Sequence, residues 1–384
     1  MIIRTVLVLV LGFQIILNMT RPVVTLFAVE MGAGIFEIGV LTASFAVFPL
    51  FLAVYAGRIA DRAGDKLPII AGLIGLTAGV ALPYCFPTMW ALYLSQVTVG
   101  SSQIFLAISL QNLLGNASPQ EKRDHYFGMF TTTVSLGGVI GPIAGGYLAE
   151  HFDYPSVFLT SIFMGLVPIA LAFSIPFAKR WKRVKRQPVG STFHLLKMPL
   201  LRKALLSSVL VTYSRDIFIA YFPLFGNQLD VSDSTIGLVI AFQGLTMVAV
   251  RYFLGKLTEV FNRNHILLVS IIVAGISFLL IPAADSEWKL IVLSAFMGAG
   301  LGCGQPLSMT TIYNHSPISR TGEVLGLRIA ANRLSQLIAP LFFGLIGSWT
   351  GVVSVFYISG AFLVGGSVFI TSKPSGSNHN MMEE

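Results

Sequence analysis

The stretch Gly57-Arg58-Ile59-Ala60-Asp61-Arg62-Ala63-Gly64-Asp65-Lys66 is a charged island between two long apolar runs. The side of a bilayer that it faces decides how the rest of the chain is read. Of 384 residues, 54% are hydrophobic and only 11% charged, and the mean hydropathy of +0.78 lies far above that of soluble domains. Lipid offers backbone N–H and C=O groups no partner, so a crossing helix needs about 20 apolar residues that satisfy one another. Twelve such spans fit the chain, at about 5 to 28, 37 to 56, 67 to 85, 90 to 113, 126 to 148, 156 to 177, 204 to 225, 236 to 255, 266 to 284, 289 to 313, 324 to 346 and 352 to 371. The expected fold class is an all-α membrane protein.

With the N-terminus inside, nineteen of the 25 Lys and Arg residues fall in segments on the side of the termini. Lys289 alone lies on the other side, and Arg21, Arg215, Arg251, Arg328 and Arg333 lie within spans. Basic loops are retained in the cytoplasm, so both termini and the island are expected there, in a multi-pass protein of the cytoplasmic (inner or plasma) membrane. Topology and anionic headgroups account for the net charge of +8, including the run from Lys179 to Arg186, without a nucleic-acid partner. The first span carries Asn18 and Arg21 with no small-residue cleavage site after it, which reads as a retained helix. Cys85 and Cys303 fall within spans and are expected to be small core residues.

An internal repeat follows. Ile38-Gly39 recurs as Ile236-Gly237, Gly57 as Gly255, Gly100 as Gly298, Ser118-Pro119 as Ser316-Pro317, Gly128 as Gly326, Pro142 as Pro340 and Gly146 as Gly344, all at a separation of 198 positions. Seven landmarks in one register divide the chain into a first six-helix half over 1–177, a basic cytoplasmic linker over 178–203, a second six-helix half over 204–371 and a polar cytoplasmic tail over 372–384. A parallel repeat of six spans places a substrate cavity between the halves near the bilayer midplane, around which they rock.

The island and this repeat resemble the major facilitator superfamily (MFS): Gly57 to Lys66 is similar to its motif A, written G-x-L-a-D-r-x-G-r-k, with Asp65 in place of a common base. The second-half copy, Gly255-Lys256-Leu257-Thr258-Glu259-Val260-Phe261-Asn262-Arg263, is degraded. Gly57 lacks a side chain where helices approach closely, and Asp61 lies level with the start of the eleventh span, where a carboxylate meets unpaired N–H groups and a partial positive charge. The resemblance implies that Asp61, with Arg62 and Gly64, latches the halves on the cytoplasmic side, and Arg251, one turn above the degraded copy, is expected to be part of a gate or a structural pair and not a ligand. The other possibility is a solvated turn.

The fifth span carries Gly137-Gly138-Val139-Ile140-Gly141-Pro142-Ile143-Ala144-Gly145-Gly146, which resembles the G-x-x-x-G-P-x-x-G-G motif of exporting antiporters in that family. Gly137, Gly141, Gly145 and Gly146 make a smooth face and Pro142 leaves a carbonyl free, so the helix can bend and pack tightly. The fourth span departs from the family, since its Arg-x-x-Gln-Gly pattern reads Gln96-Val97-Thr98-Val99-Gly100 here.

A charge inside a span costs at least ~2.5–3.5 kcal/mol unless it faces a cavity or a partner, so the five arginines and Asp216 are functional candidates. Asp216 is twelve residues from Ala204, or ~18 Å along a helix, near mid-bilayer, and Arg333 is at a similar depth. An excess of bases predicts a small organic substrate that is anionic or amphipathic, bound by Arg21, Arg215 and Arg333, with Gln14, Asn18, Gln243, Gln305, Asn332 and Gln336 adding neutral hydrogen bonds. Asp216 is the candidate proton-coupling residue, or else half of a static bridge. The six histidines lie in loops, linker or tail with no metal spacing, and no nucleophile constellation or P-loop is present. The expectation is thus a non-enzymatic secondary transporter without cofactor or metal. It is a monomer in the bilayer whose partners are protons and a small molecule, working as a proton-driven exporter by alternating access. The alternative is a proton-coupled importer of an organic acid or sugar.

Overall fold

Apolar runs become long helices because every N–H must find its C=O within the same segment. The computed structural model describes residues 2–119, 123–176, 199–315 and 321–371, and all regular structure among them is helical. The helices are α1 (Ile2–Glu30), α2 (Ile35–Ala63), α3 (Lys66–Cys85), α4 (Met89–Ala117), α5 (Arg123–His151), α6 (Tyr154–Phe173), α7 (Pro199–Gln228), α8 (Asp233–Val260), α9 (Arg263–Leu280), α10 (Glu287–Gly302), α11 (Gly304–His315), α12 (Thr321–Thr350) and α13 (Val352–Thr371). The pair α10 and α11 is one span interrupted at Cys303, which gives twelve crossings, six in each half. Ten helical stretches among the described residues are each long and apolar enough to cross a membrane.

The charged island differs from its sequence reading. It is mostly helix, since α2 continues to Ala63 and ends only at Gly64, whose φ of 80° suits a residue without a Cβ. Lys66 then opens α3 and donates from Nζ to the Phe173 carbonyl at the end of α6 (2.8 Å), where the helix carries its partial negative charge. The side chains of residues 53–63 and of the first turn of α12 are outside the described residues, so the expected latch of Asp61 and Arg62 lies there too. So do 178–198 of the linker and the tail. Cys303 is buried as expected, but Cys85 is exposed at the end of α3.

The repeat is visible in the packing. A Cβ added to Gly39 would meet the Pro340 carbonyl oxygen and the Gly344 Cα, and one added to Gly237 would meet the Pro142 carbonyl oxygen and the Gly146 Cα. These two contacts are the same contact moved by 198 positions. They bring α2 against α12 and α5 against α8, and so close the halves along two seams at the end that the sequence assigns to the outside. Within each half a second equivalent pair holds, with Gly100 on the Phe45 carbonyl and Gly298 on the Gln243 carbonyl. The aromatic core of the second half, in which Phe218 stacks on Phe222 (4.8 Å) and meets Phe278 (6.1 Å), continues into the first half through Leu26 and Ile38.

Glycine spacing on α5 serves two neighbours. Gly137, Gly141 and Gly145 face Gln14, Asn18 and Met19 of α1, while Gly138, the Pro142 carbonyl and Gly146 face α8. Pro142 has no N–H for the Gly138 carbonyl, and that oxygen is directed at Gly244, where an added Cβ would be a tight 3.3 Å from it. Gly255, by contrast, has nothing within 4 Å of an added Cβ among the described residues.

Candidate functional site

Asp216 sits in the middle of α7 and is 5% exposed. Its Oδ1 is 3.3 Å from Nη2 of Arg21 on α1, and its Oδ2 accepts from Nε2 of Gln336 on α12 at 2.7 Å. Gln336 in turn accepts from Nη1 of Arg333 at 2.9 Å. The Arg21 guanidinium also lies over the Phe45 ring of α2, 4.8 Å from its centre, a cation–π contact that is stronger where water is excluded. One carboxylate is thus shared between an arginine of the first half and a glutamine of the second, with Arg215 beside it on α7. A single negative charge between Arg21, Arg215 and Arg333 leaves the centre of the protein positive.

Asp216 is the end of a polar stripe on α7. Ser208, Thr212 and Asp216 recur at four-residue intervals, and neighbours on one helix face are spaced in this way. Each meets a polar side chain of another helix: Ser208 with Asn332 (3.1 Å), Thr212 with Gln305 (3.4 Å) and Asp216 with Gln336. Four expected binding residues, Arg333, Asn332, Gln305 and Gln336, therefore gather along α7. Sequence reasoning missed Ser208 and Thr212, although their spacing from Asp216 was a usable signal.

Other candidates are placed elsewhere. Asn18 donates to the Gln14 carbonyl (2.7 Å) and to its Oε1 (3.2 Å), and both residues lie where α1 packs on the glycines of α5. Arg215 reaches toward Gly138 of that same motif, since a Cβ there would be 3.8 Å from its Nη2. Gln243 is 2% exposed and turned within the second half onto the Met297 sulfur (3.1 Å). Arg251 donates from Nε to the Gly302 carbonyl at 3.2 Å. Pro306 has no N–H for that carbonyl, so Arg251 fills the gap left by the break between α10 and α11.

A pocket of about 20 Å³ adjoins the site, lined in part by Arg21, Thr25, Thr42, Phe45, Gln96 and Asp216. At the end of the α5–α8 seam that the sequence assigns to the outside, Glu150 of the first half accepts from the Ser234 N–H of the second at 2.8 Å. Hydrogen bonds from Ser234 hold its carboxyl below the usual carboxylate range.

Comparison with known proteins agrees with this architecture. The Major Facilitator Superfamily profile matches residues 6–227 and 204–381. The chain is 24% identical over 357 residues to the multidrug resistance protein MdtG of Dickeya zeae, covering 89% of this chain and 86% of that one. It is 24% identical over 353 residues to the quinolone resistance protein NorA of Staphylococcus aureus, covering 88% and 89%. The solved D-xylose-proton symporter superposes with a TM-score of 0.79 at 11% identity, over 96% of this chain and 97% of that one. Twelve spans in two repeated halves, closed on one another along equivalent glycine seams and matched by the family profile from end to end, establish that the chain belongs to the Major Facilitator Superfamily of membrane transporters.

Proposed function

We propose that this transporter is a proton-driven antiporter that exports small organic anions or amphipathic compounds by alternating access. The observation that carries the reading is the Arg21–Asp216–Gln336 bridge, in which one mid-span carboxylate ties the first half to the second. Protonating Asp216 removes the charge that holds Arg21, so a proton and a change of access are linked through one group. The same proton loss and gain alters the positive field in which Arg215 and Arg333 would hold a carboxylate-bearing compound. The stripe of Ser208, Thr212, Gln305 and Asn332 supplies neutral hydrogen bonds along that wall, as a polar lining does in a site that must release its ligand. Export is favoured over import because MdtG and NorA are named for drug resistance, and because the glycine face of α5 lies in an outer seam.

The test uses everted vesicles with an acid interior, in which a pH-sensitive dye reports proton release while organic carboxylates and then lipophilic cations are added. Carboxylates that draw protons out support antiport and the arginine site together. Release by cations alone keeps antiport and removes the anionic substrate class. Proton-coupled uptake in right-side-out vesicles, with none of this release, replaces the reading with an importer. In Asp216→Asn, transport with an unaltered pH dependence would remove the coupling role.

A further inference from the structure

We propose that the small pocket between α1, α2, α4 and α7 is a resident water site that delivers protons to Asp216, with Thr25 and Gln96 as the residues that position the water. The proposal rests on the reading of Asp216 as the protonated group. At about 20 Å³ the pocket exceeds the roughly 10–15 Å³ that one water requires, and it is far below the roughly 300 Å³ at which small-molecule sites begin. Its chemistry suits water. Thr25 is 3% and Gln96 6% exposed, both line the pocket, and no hydrogen bond from either side chain to another protein group is found among the described residues. Buried polar groups in proteins are almost always paired, with protein or with ordered water. Thr42 and Asp216 complete the two to four polar partners that a buried water takes.

Charge in the pocket comes from few groups. Asp216 faces Arg21 from α1 and Arg333 through Gln336 from α12, and has Arg215 next to it on α7, while α2 and α4 bring only Leu41, Thr42, Phe45 and Gln96. The Arg21 guanidinium disfavours a metal cation in the same space. The proton step balances without another reactant. A hydronium in the pocket gives its proton to the Asp216 carboxylate, leaving a neutral carboxyl and a water, and Arg21 loses its counter-charge. The proton then arrives from the face made by the first half, and the substrate from the polar stripe on α7, so the two need not pass one another.

The full-length protein in proteoliposomes tests this with norfloxacin, a quinolone carboxylate. Two rates are measured, namely accumulation driven by a pH gradient and norfloxacin exchange at equal pH. Thr25→Val and Gln96→Met keep shape and remove the water's partners, and both are expected to lower driven transport by at least about tenfold with exchange near the parent's. Equal loss of both rates would mean a structural role and overturn the proposal. If Asp216→Asn loses driven transport while Thr25→Val and Gln96→Met keep it, the water site is wrong and the reading of Asp216 stands. If Asp216→Asn keeps it, that reading itself fails. A readout without substrate is X-ray hydroxyl-radical labelling of Phe45, which lines the pocket. Labelling should be seen in the parent and fall in both variants, and equal labelling in all three would overturn the site.

Discussion

Gly39→Ala should open the outer face. A methyl there would overlap the Pro340 carbonyl oxygen, lie 2.7 Å from the Tyr221 hydroxyl and 3.1 Å from the Gly344 Cα, where ordinary contacts run from 3.4 to 4 Å. Two of these atoms are backbone of α12, so relief requires α2 and α12 to part by ~0.5–1 Å, a gap that also forfeits the dispersion contacts along the seam. Overpacking of this kind costs ~1–3 kcal/mol. The halves must separate here in any alternating cycle, so the strain falls on the closed state and leaves folding intact. A bias of 1–3 kcal/mol shifts the ratio of closed to open by ~5- to 150-fold. The assay places a cysteine at Val24, 4% exposed beneath the seam, in a background lacking Cys85 and Cys303. An impermeant maleimide is then added to whole cells. Labelling should rise in Gly39→Ala, and to a similar extent in Gly237→Ala, because the contacts are related by the repeat. Parent-like labelling in both variants would refute the argument, and a rise in one alone would refute its symmetry.

Three further outcomes follow from the same geometry. Tyr221→Phe removes the hydroxyl that donates to the Pro340 carbonyl at 2.7 Å, worth ~0.5–1.5 kcal/mol, so Val24 labelling should rise by roughly fivefold, less than in Gly39→Ala. Arg251→Gln leaves the Gly302 carbonyl without its donor. A buried unpaired group costs ~1–3 kcal/mol, so the melting temperature in detergent should fall by a few degrees, with the same substrates transported. For Glu150, the hydrogen bonds from Ser234 lower the carboxyl's pKa in the closed state, so the contact is complete at neutral pH and is lost as outside pH falls through that lowered value. Acid should therefore raise outer-face labelling in the parent, and Glu150→Ala should remove that acid response.

How much of this could be read beforehand differs from residue to residue. The glycine and proline landmarks were legible because a helix approaching another helix tolerates no Cβ, and that constraint is written in residue type. The depth of Asp216 was legible because 1.5 Å per residue is fixed. Its partner was not. Arg21, Arg215 and Arg333 were all candidates by charge and by lying within spans, and Arg21 bonds to Asp216 only because α1 and α7 meet across the two halves. Gln243 and Gln336 look alike in sequence, yet rotation about the helix axis turns one onto Met297 and the other onto Asp216. The charged island reads as a loop by composition, whereas α2 extends through it until Gly64.

By itself, then, the sequence determined the solvent, the number of spans, their division into repeated halves and the family. These depend on hydropathy and on spacing along the chain, which are local or periodic properties. The tertiary structure alone decided which polar side chains share a site, that α10 breaks where Arg251 can cover the freed carbonyl, and that Thr25 and Gln96 look into one pocket with Asp216. Those facts depend on helix rotation and on distances between residues as far apart as Arg21 and Asp216, which no local pattern encodes.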